Sequence, residues 1–218
     1  MSYEIRPLSE LTEEQISRTF DMFAEGFYFI FSPISRDKAK LRELFMASFD
    51  RDMGYVYLEG GVPMGFLSCG SSERQPVNMS KETCLRVLGR VKGSLVYRFA
   101  APILAKPHTR DPREGYLDYL TTDPAFRGRG IGTKMFCYVC ENLPYERYTF
   151  EVLSKNENAI RLYNKLGMRQ VRVKNDPVAS LVGHGRPIIM AFETNDFIRQ
   201  NILHSSYSRT HAATAAGS

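Results

Sequence analysis

Residues 121–136 read TTDPAFRGRGIGTKMF and place Gly128, Gly130 and Gly132 at alternate positions before an apolar run. Glycine lacks the Cβ that holds a ligand away from the main chain, and it adopts φ values that other residues avoid. The run from Ile131 onward has helical spacing, and the first N–H groups of a helix find no partner inside it. Those groups and the positive end of the helix dipole form a seat for an anion, most naturally a phosphate. Arg127 and Arg129 flank Gly128 and add positive charge. The stretch from Arg127 to Thr133 therefore reads as a loop that holds a phosphorylated cofactor. Two common phosphate loops do not fit. A dinucleotide fingerprint needs G-x-G-x-x-G, whereas the spacing here is Gly128-x-Gly130-x-Gly132. A Walker loop needs Gly-Lys and then a hydroxyl residue, whereas Gly132-Thr133-Lys134 has the reverse order.

A third pattern does fit. Arg127-x-x-Gly130-x-Gly132, after a strand and before a helix, resembles the pyrophosphate loop of the GNAT superfamily of acyl-CoA-dependent N-acyltransferases. The preceding TTDPAF is similar to that family's strand end, an apolar run followed by Asp/His-Pro. A second motif, VLSKNENAIRLYNKLGM, is similar to the family's Asn-x-x-Ala-x-x-x-Tyr-x-x-x-Gly-Phe. Asn156, Ala159, Tyr163 and Gly167 match, and Met168 stands where phenylalanine is usual. The resemblance is specific over residues 116–168 and holds in outline over 3–195.

The resemblance implies transfer of an acetyl group from acetyl-CoA to a primary amine, by direct attack in a ternary complex and without a metal. Three chemical needs follow. The amine must be neutral, and with a pKa near ~10.4 under ~0.1% of it is so at pH 7; a base helps. The attacked carbonyl becomes an oxyanion and needs fixed donors. The leaving thiolate benefits from a proton. For the oxyanion, the resemblance implies the backbone N–H groups of Leu120, Thr121 and Thr122. For the thiolate, the candidate is Tyr163, whose phenol is protonated at neutral pH; a core tyrosine is its bland reading. Asp118 is the candidate base, because a carboxylate is out of place in the middle of the strand YLDYL. An ion pair explains it as well, and Glu114 or water alone are the rivals. The expected cofactor-binding set is Leu120, Thr121, Thr122, Arg127, Gly128, Arg129, Gly130, Ile131, Gly132, Thr133, Asn156 and Tyr163. Asn156 either bonds the pantetheine arm or caps its helix. Lys134, Arg161 and Lys165 either reach the nucleotide or face water.

These residues need elements to hold them. YEIRPL reads as a strand, and LTEEQ as a helix start with Thr12 and Gln15 forming a capping box. Helices are expected over 13–25 and 36–49, the second with Leu41, Leu44, Phe45 and Phe49 on one face. GYVYLEGGVPMGFLSCG reads as a hairpin turning at Gly60-Gly61. Residues 81–100 read as one helix with Leu85, Leu88 and Val91 on a face, and 101–115 as a proline-rich loop. Then come strand YLDYLTT, helix 131–143, strand RYTFEVL, a helix ending at Gly167, and strands QVRVK and PIIMAFE. The expected fold is α/β (α+β): a single GNAT-like domain over 1–200, its mixed central sheet flanked by helices. A basic helical insertion is expected at about 75–113 and a flexible tail over 201–218.

Composition narrows the function class. The 218 residues are 43% hydrophobic, enough for a core, and hold no run of apolar residues long enough to span a bilayer. The N-terminus lacks a secretory pattern, so a cytoplasmic protein with no membrane partner is expected. Cys69, Cys84, Cys137 and Cys140 are too sparse for a disulfide scaffold, and the C-x-x-C pair reads as buried thiols. His108 and His184 read as solvent-exposed loop residues. Residues 81–113 carry eight Lys/Arg against Glu82 and Asp111, a net +6 within an overall +5. That segment suits a polyanion or a wet helix face, but with only Tyr97 and Phe99 it makes a poor base-stacking platform. Nucleic acid is therefore not expected as a partner. The acceptor amine stays unidentified, and a homodimer stays open. FYFIFSP at 27–33 reads as pocket lining or as core. The second functional reading is a non-catalytic acyl-CoA-binding regulatory or interaction protein.

Overall fold

A computed structural model describes residues 2–175 and 185–201. Of the tail expected over 201–218, only Asn201 is described, and it ends a helix; residues 202–218 and His184 lie outside the described residues. The chain divides into two compact units: Met1–Arg110 with Asp118–Met135, and Asp111–Leu117 with Phe136–Ser218. Seven strands and nine α-helices are found among the described residues, a mixed α/β architecture as expected. None of the helices is long and apolar enough to cross a membrane.

The first unit holds strands β1 (Tyr3–Pro7), β2 (Gly54–Glu59) and β3 (Val62–Gly70), and most of β4 (Glu114–Thr122). β1, β2 and β3 pair antiparallel. Gly60 and Gly61, at φ 57° and 79°, make the β2–β3 turn, as their sequence suggested. Helix α1 (Glu13–Gly26) begins with the expected capping box. Gln15 N–H donates to Thr12 Oγ1 at 3.3 Å and Thr12 N–H donates to Gln15 Oε1 at 3.1 Å. Its apolar face, Ile16, Phe20 and Phe23, is buried with Leu41, Leu44 and Phe45 of α3 (Lys38–Ser48). Each such side chain removes enough apolar surface from water for about 1.5–3 kcal/mol. Tyr119 of β4 joins this cluster, its ring centroid 5.3 Å from that of Phe23. The FYFIFSP run forms a short helix, α2 (Tyr28–Phe31), that the sequence reading did not anticipate.

Residues 81–100 are not one helix. Gly89, at φ 81°, separates α4 (Lys81–Leu88) from α5 (Arg90–Phe99), and α6 (Ala101–Leu104) opens the stretch read as loop. The break resets the helical phase. α5 buries Gly93 and Val96, whereas Val91, expected on the buried face, is 79% exposed.

The second unit holds the start of β4, then β5 (Arg147–Leu153), β6 (Arg169–Val173) and β7 (Pro187–Glu193). β4 and β5 are parallel, from Glu114↔Arg147 to Leu117↔Phe150, while β7 pairs antiparallel with both β5 and β6. Helix α7 (Ile131–Asn142) enters this unit at Phe136. Its later turns are fixed by Tyr148, whose hydroxyl donates to Val139 O at 2.7 Å. Helix α8 (Glu157–Lys165) ends in a Schellman motif at Gly167, φ 82°: Gly167 N–H donates to Asn164 O and Met168 N–H to Tyr163 O, both at 3.0 Å. A final helix, α9 (Thr194–Asn201), follows β7 directly and was not anticipated.

Candidate active site

In the first unit, β4 delivers Leu120, Thr121 and Thr122 to the entrance of the glycine loop. Asp123 N–H donates to Met64 O at 3.0 Å, and Asp123 Oδ1 accepts from Ala125 N–H at 2.8 Å to start a 3-10 turn over Pro124–Phe126. Gly128 and Gly130 take φ values of 78° and 73°, which side-chain-bearing residues rarely adopt. A Cβ at either would meet nothing within 4 Å, so the space in front of the loop is open. Lys134 N–H donates to Gly130 O at 3.0 Å, the first bond of α7. No acceptor among the described residues takes the N–H of Ile131, Gly132 or Thr133. Gly65 of β3 sets how close this helix start comes: a Cβ there would lie 2.6 Å from Ile131 Cγ2.

The two arginines part company. Arg127 is exposed, its Nε 3.4 Å from Thr122 O. Arg129, expected to add charge for a phosphate, instead donates from Nη2 to Glu59 Oε2 at 2.6 Å, with its guanidinium 5.6 Å from the Phe126 ring centroid. Glu59 Oε1 also accepts from the Tyr57 hydroxyl at 2.7 Å, and Lys134 Nζ donates to that hydroxyl oxygen at 3.1 Å. The Tyr57 hydrogen bond and then Arg129 hold the Glu59 carboxyl below the usual carboxylate range, against its burial. Lys134 is pulled below the ordinary lysine range by burial. This network ties the loop to the end of β2. Its one sequence signal is an acid closing the apolar strand GYVYLE.

Glu59→Gln should therefore lower unfolding free energy at pH 7 by about 1–2 kcal/mol, a charged hydrogen bond discounted for the half-exposed Arg129. The sign of the pH dependence follows from the depressed folded value. The contribution is present above the unfolded pKa of ~4.3 and is lost as pH falls through the lower folded one. Urea unfolding at pH 7 and at pH 3 checks this: the gap between wild type and variant should narrow in acid.

Asp118 lies in the middle of β4, its side chain 8% exposed, with His108 Nε2 3.5 Å from its Oδ1. His108, read from the sequence as a solvated loop residue, is thus held against a carboxylate, and its own side chain is 32% exposed. Ten residues of irregular spacing hid this pair. Beside it, burial and then the Asp118 charge push the Tyr119 phenol up.

In the second unit, Asn156 caps α8: Ala159 N–H donates to its Oδ1 at 3.2 Å. Two turns on, the Tyr163 ring packs edge-on against Phe150 at 4.7 Å and Phe136 at 6.0 Å. Burial pushes its phenol up to about 12, so it stays a proton donor at neutral pH. Glu114 is engaged elsewhere, its Oε1 accepting from Thr149 Oγ1 at 2.8 Å and its Oε2 3.6 Å from Arg147. Arg161 bonds Glu157 and Asn158 on its own helix. All four cysteines are buried and in no disulfide, and the described residues contain no cluster of three metal-ligating side chains.

The Acetyltransferase (GNAT) family model matches residues 16–168. The chain belongs to the GNAT acetyltransferase family. Both motifs, the glycine loop and the Asn156–Met168 helix, lie within the matched span. A curated relative, glucosamine 6-phosphate N-acetyltransferase of Trypanosoma brucei brucei, is 28% identical over 92 residues, 42% of this chain and 59% of that protein. The chain thus spans little more than half the length of that relative. Among solved structures, a Corynebacterium glutamicum protein described as histone acetyltransferase HPA2 and related acetyltransferase matches with a TM-score of 0.57. It is 19% identical, over 88% of this chain and 96% of its own. An N-acetyltransferase from Staphylococcus aureus Mu50 matches at 0.57 and 16% identity, over 87% and 100%. At such identities these two structures speak for the fold alone, and the family assignment rests on the GNAT model.

Proposed function

We propose that this GNAT enzyme moves the acetyl group of acetyl-CoA to a primary amine by direct attack in a ternary complex. One observation carries the reading: two left-handed glycines stand before a helix whose first three N–H groups have no acceptor among the described residues. A diphosphate supplies what they lack. Arg127, Gly128, Gly130, Ile131, Gly132 and Thr133 hold it. Arg129 holds the loop itself through Glu59 and is a positioning residue rather than a phosphate ligand. Leu120, Thr121 and Thr122 offer N–H groups to the thioester oxygen. Tyr163 protonates the leaving thiolate. Asn156, whose side-chain oxygen caps α8, lends its amide nitrogen to the pantetheine arm. We further propose that residues 1–200 act as one acetyltransferase domain with a helical insertion at about 75–113.

For the amine proton, Asp118 and His108 act together. The less buried imidazole, the side-chain type suited to proton transfer near neutral pH, takes the proton. Asp118 orients it and offsets the charge that forms. Thiol release from acetyl-CoA, measured across amino sugars, small amines, peptide N-termini and lysine peptides, tests the activity. CoA binding without release under any acceptor would leave only the non-catalytic reading. With the best acceptor, Asp118→Asn and His108→Gln should each lower kcat/KM by about a hundredfold. Glu114→Gln should change it little.

A further inference from the structure

Helices α5 and α6 expose the residues that an ordinary surface helix hides. Val91, Leu95 and Phe99 follow at four-residue spacing along α5, and Ile103 continues the series on α6; they are 79, 53, 62 and 69% exposed. The chain stays helical between the two elements: Ala100 is in the right-handed region and its N–H donates to Val96 O at 2.8 Å. Gly93, Val96 and Ala101 of the same two helices are buried. The stripe is therefore a second apolar face rather than a misjudged core. Every exposed large apolar side chain in the first unit's described residues stands on α2, α5 or α6. A patch so concentrated marks an interaction site.

Charge says what kind. From Thr83 to Arg110 the chain has no acidic residue, and Arg86, Arg90, Lys92, Arg98, Lys106 and Arg110 fall within that stretch. Arg86 pairs with Glu43 of α3, while no carboxylate among the described residues pairs with Arg90, Lys92, Arg98 or Lys106. The complement must be both apolar and anionic. A second copy in a symmetric contact would set Arg90, Lys92 and Arg98 against like charges. A nucleic acid would leave Val91, Leu95 and Ile103 without a use. A peptide would need a walled groove, and these side chains stand exposed along α5 and α6. A bilayer surface demands no shape: it takes an apolar stripe into the boundary between headgroups and acyl chains and sets its phosphates against the flanking cations.

We propose that α5–α6 docks this protein on an anionic membrane surface, with Val91, Leu95, Phe99 and Ile103 inserted and Arg90, Lys92, Arg98 and Lys106 at the headgroups. The sequence had suggested no membrane partner because it lacks a spanning run. A helix lying flat needs none. The proposal stands apart from the acetyltransfer reaction and does not depend on it.

Co-sedimentation with vesicles tests it. The full chain should bind vesicles of equal parts phosphatidylglycerol and phosphatidylcholine, release as salt rises, and ignore pure phosphatidylcholine. Leu95→Ser/Phe99→Ser keeps the net charge and should lower the vesicle partition coefficient at least tenfold. Val91→Ser/Ile103→Ser should do the same, so the test survives if one pair fails to fold. Reversing Arg98 to Glu should cost about 25-fold, since each unit of charge near such a surface is worth about fivefold. Thermal melting should be unchanged, because these side chains face solvent. Undiminished binding by both serine pairs would reduce the effect to general basicity and overturn the proposal. Absence of anionic vesicle binding by the wild type would overturn it in favour of a protein partner.

Discussion

Tyr163→Phe should lower kcat by about a thousandfold while changing the affinity for acetyl-CoA less than about threefold. The substitution removes one oxygen and little else. The ring sits edge-on against Phe150 and Phe136, and phenylalanine keeps both contacts, so the packing of α8 on β5 and α7 survives. The hydroxyl makes no hydrogen bond among the described residues, so no partner is stranded. What is lost is a proton donor for the departing thiolate. Burial lifts the phenol to about 12, so ionisation of Tyr163 should leave no alkaline limb in the wild-type rate profile below about pH 11. Single-turnover thiol release, which isolates chemistry from product dissociation, measures the loss. If turnover survives unchanged, Tyr163 is a packing residue and the thiolate leaves without its help.

The parts of this site that were legible in the sequence are those written in short-range chemistry. A capping box needs residues three apart, and Thr12 and Gln15 formed one. The Gly60-Gly61 turn and the left-handed cap at Gly167 rest on glycine's access to positive φ, and both appear as expected. The loop glycines were readable for the same reason. Failures came where local signals are silent. Gly89 is tolerated in a helix by pattern alone, so the break that turned Val91 outward was missed. α2 and α9 are too short for periodicity to show. The Glu59–Arg129 pair joins residues seventy apart, and only the fold brings them together. The carboxylate that Arg129 pairs with was therefore invisible along the chain. His108 does lie in an exposed loop, as its sequence suggested, but nothing in that proline-rich stretch announces that its imidazole reaches Asp118 in the middle of β4.

Gly130→Val should weaken CoA binding by about 10²- to 10⁴-fold, whereas Gly132→Ala should leave it within about threefold. The contrast separates two uses of glycine in one loop. Gly132 has no positive φ, and a Cβ there would meet only Leu120 Cδ2 at 3.8 Å, an ordinary contact. Gly130 sits at φ 73° with nothing within 4 Å of its missing Cβ. Valine there collides with no protein atom. It cannot hold the angle, which costs about 1–2 kcal/mol for any L side chain and more for a β-branched one. The loop must then turn out of its present path, carrying Gly130 O away from Lys134 N–H and re-aiming the amides of Ile131 and Gly132. A hydrogen bond to a charged phosphate is worth about 1.5–3 kcal/mol, so losing two amounts to the range given. Calorimetry with CoA, beside thermal melting to show that the variant is folded, makes the measurement. A folded Gly130→Val that binds CoA as the wild type does would mean that the diphosphate lies elsewhere. The function drawn from this loop would fall with it.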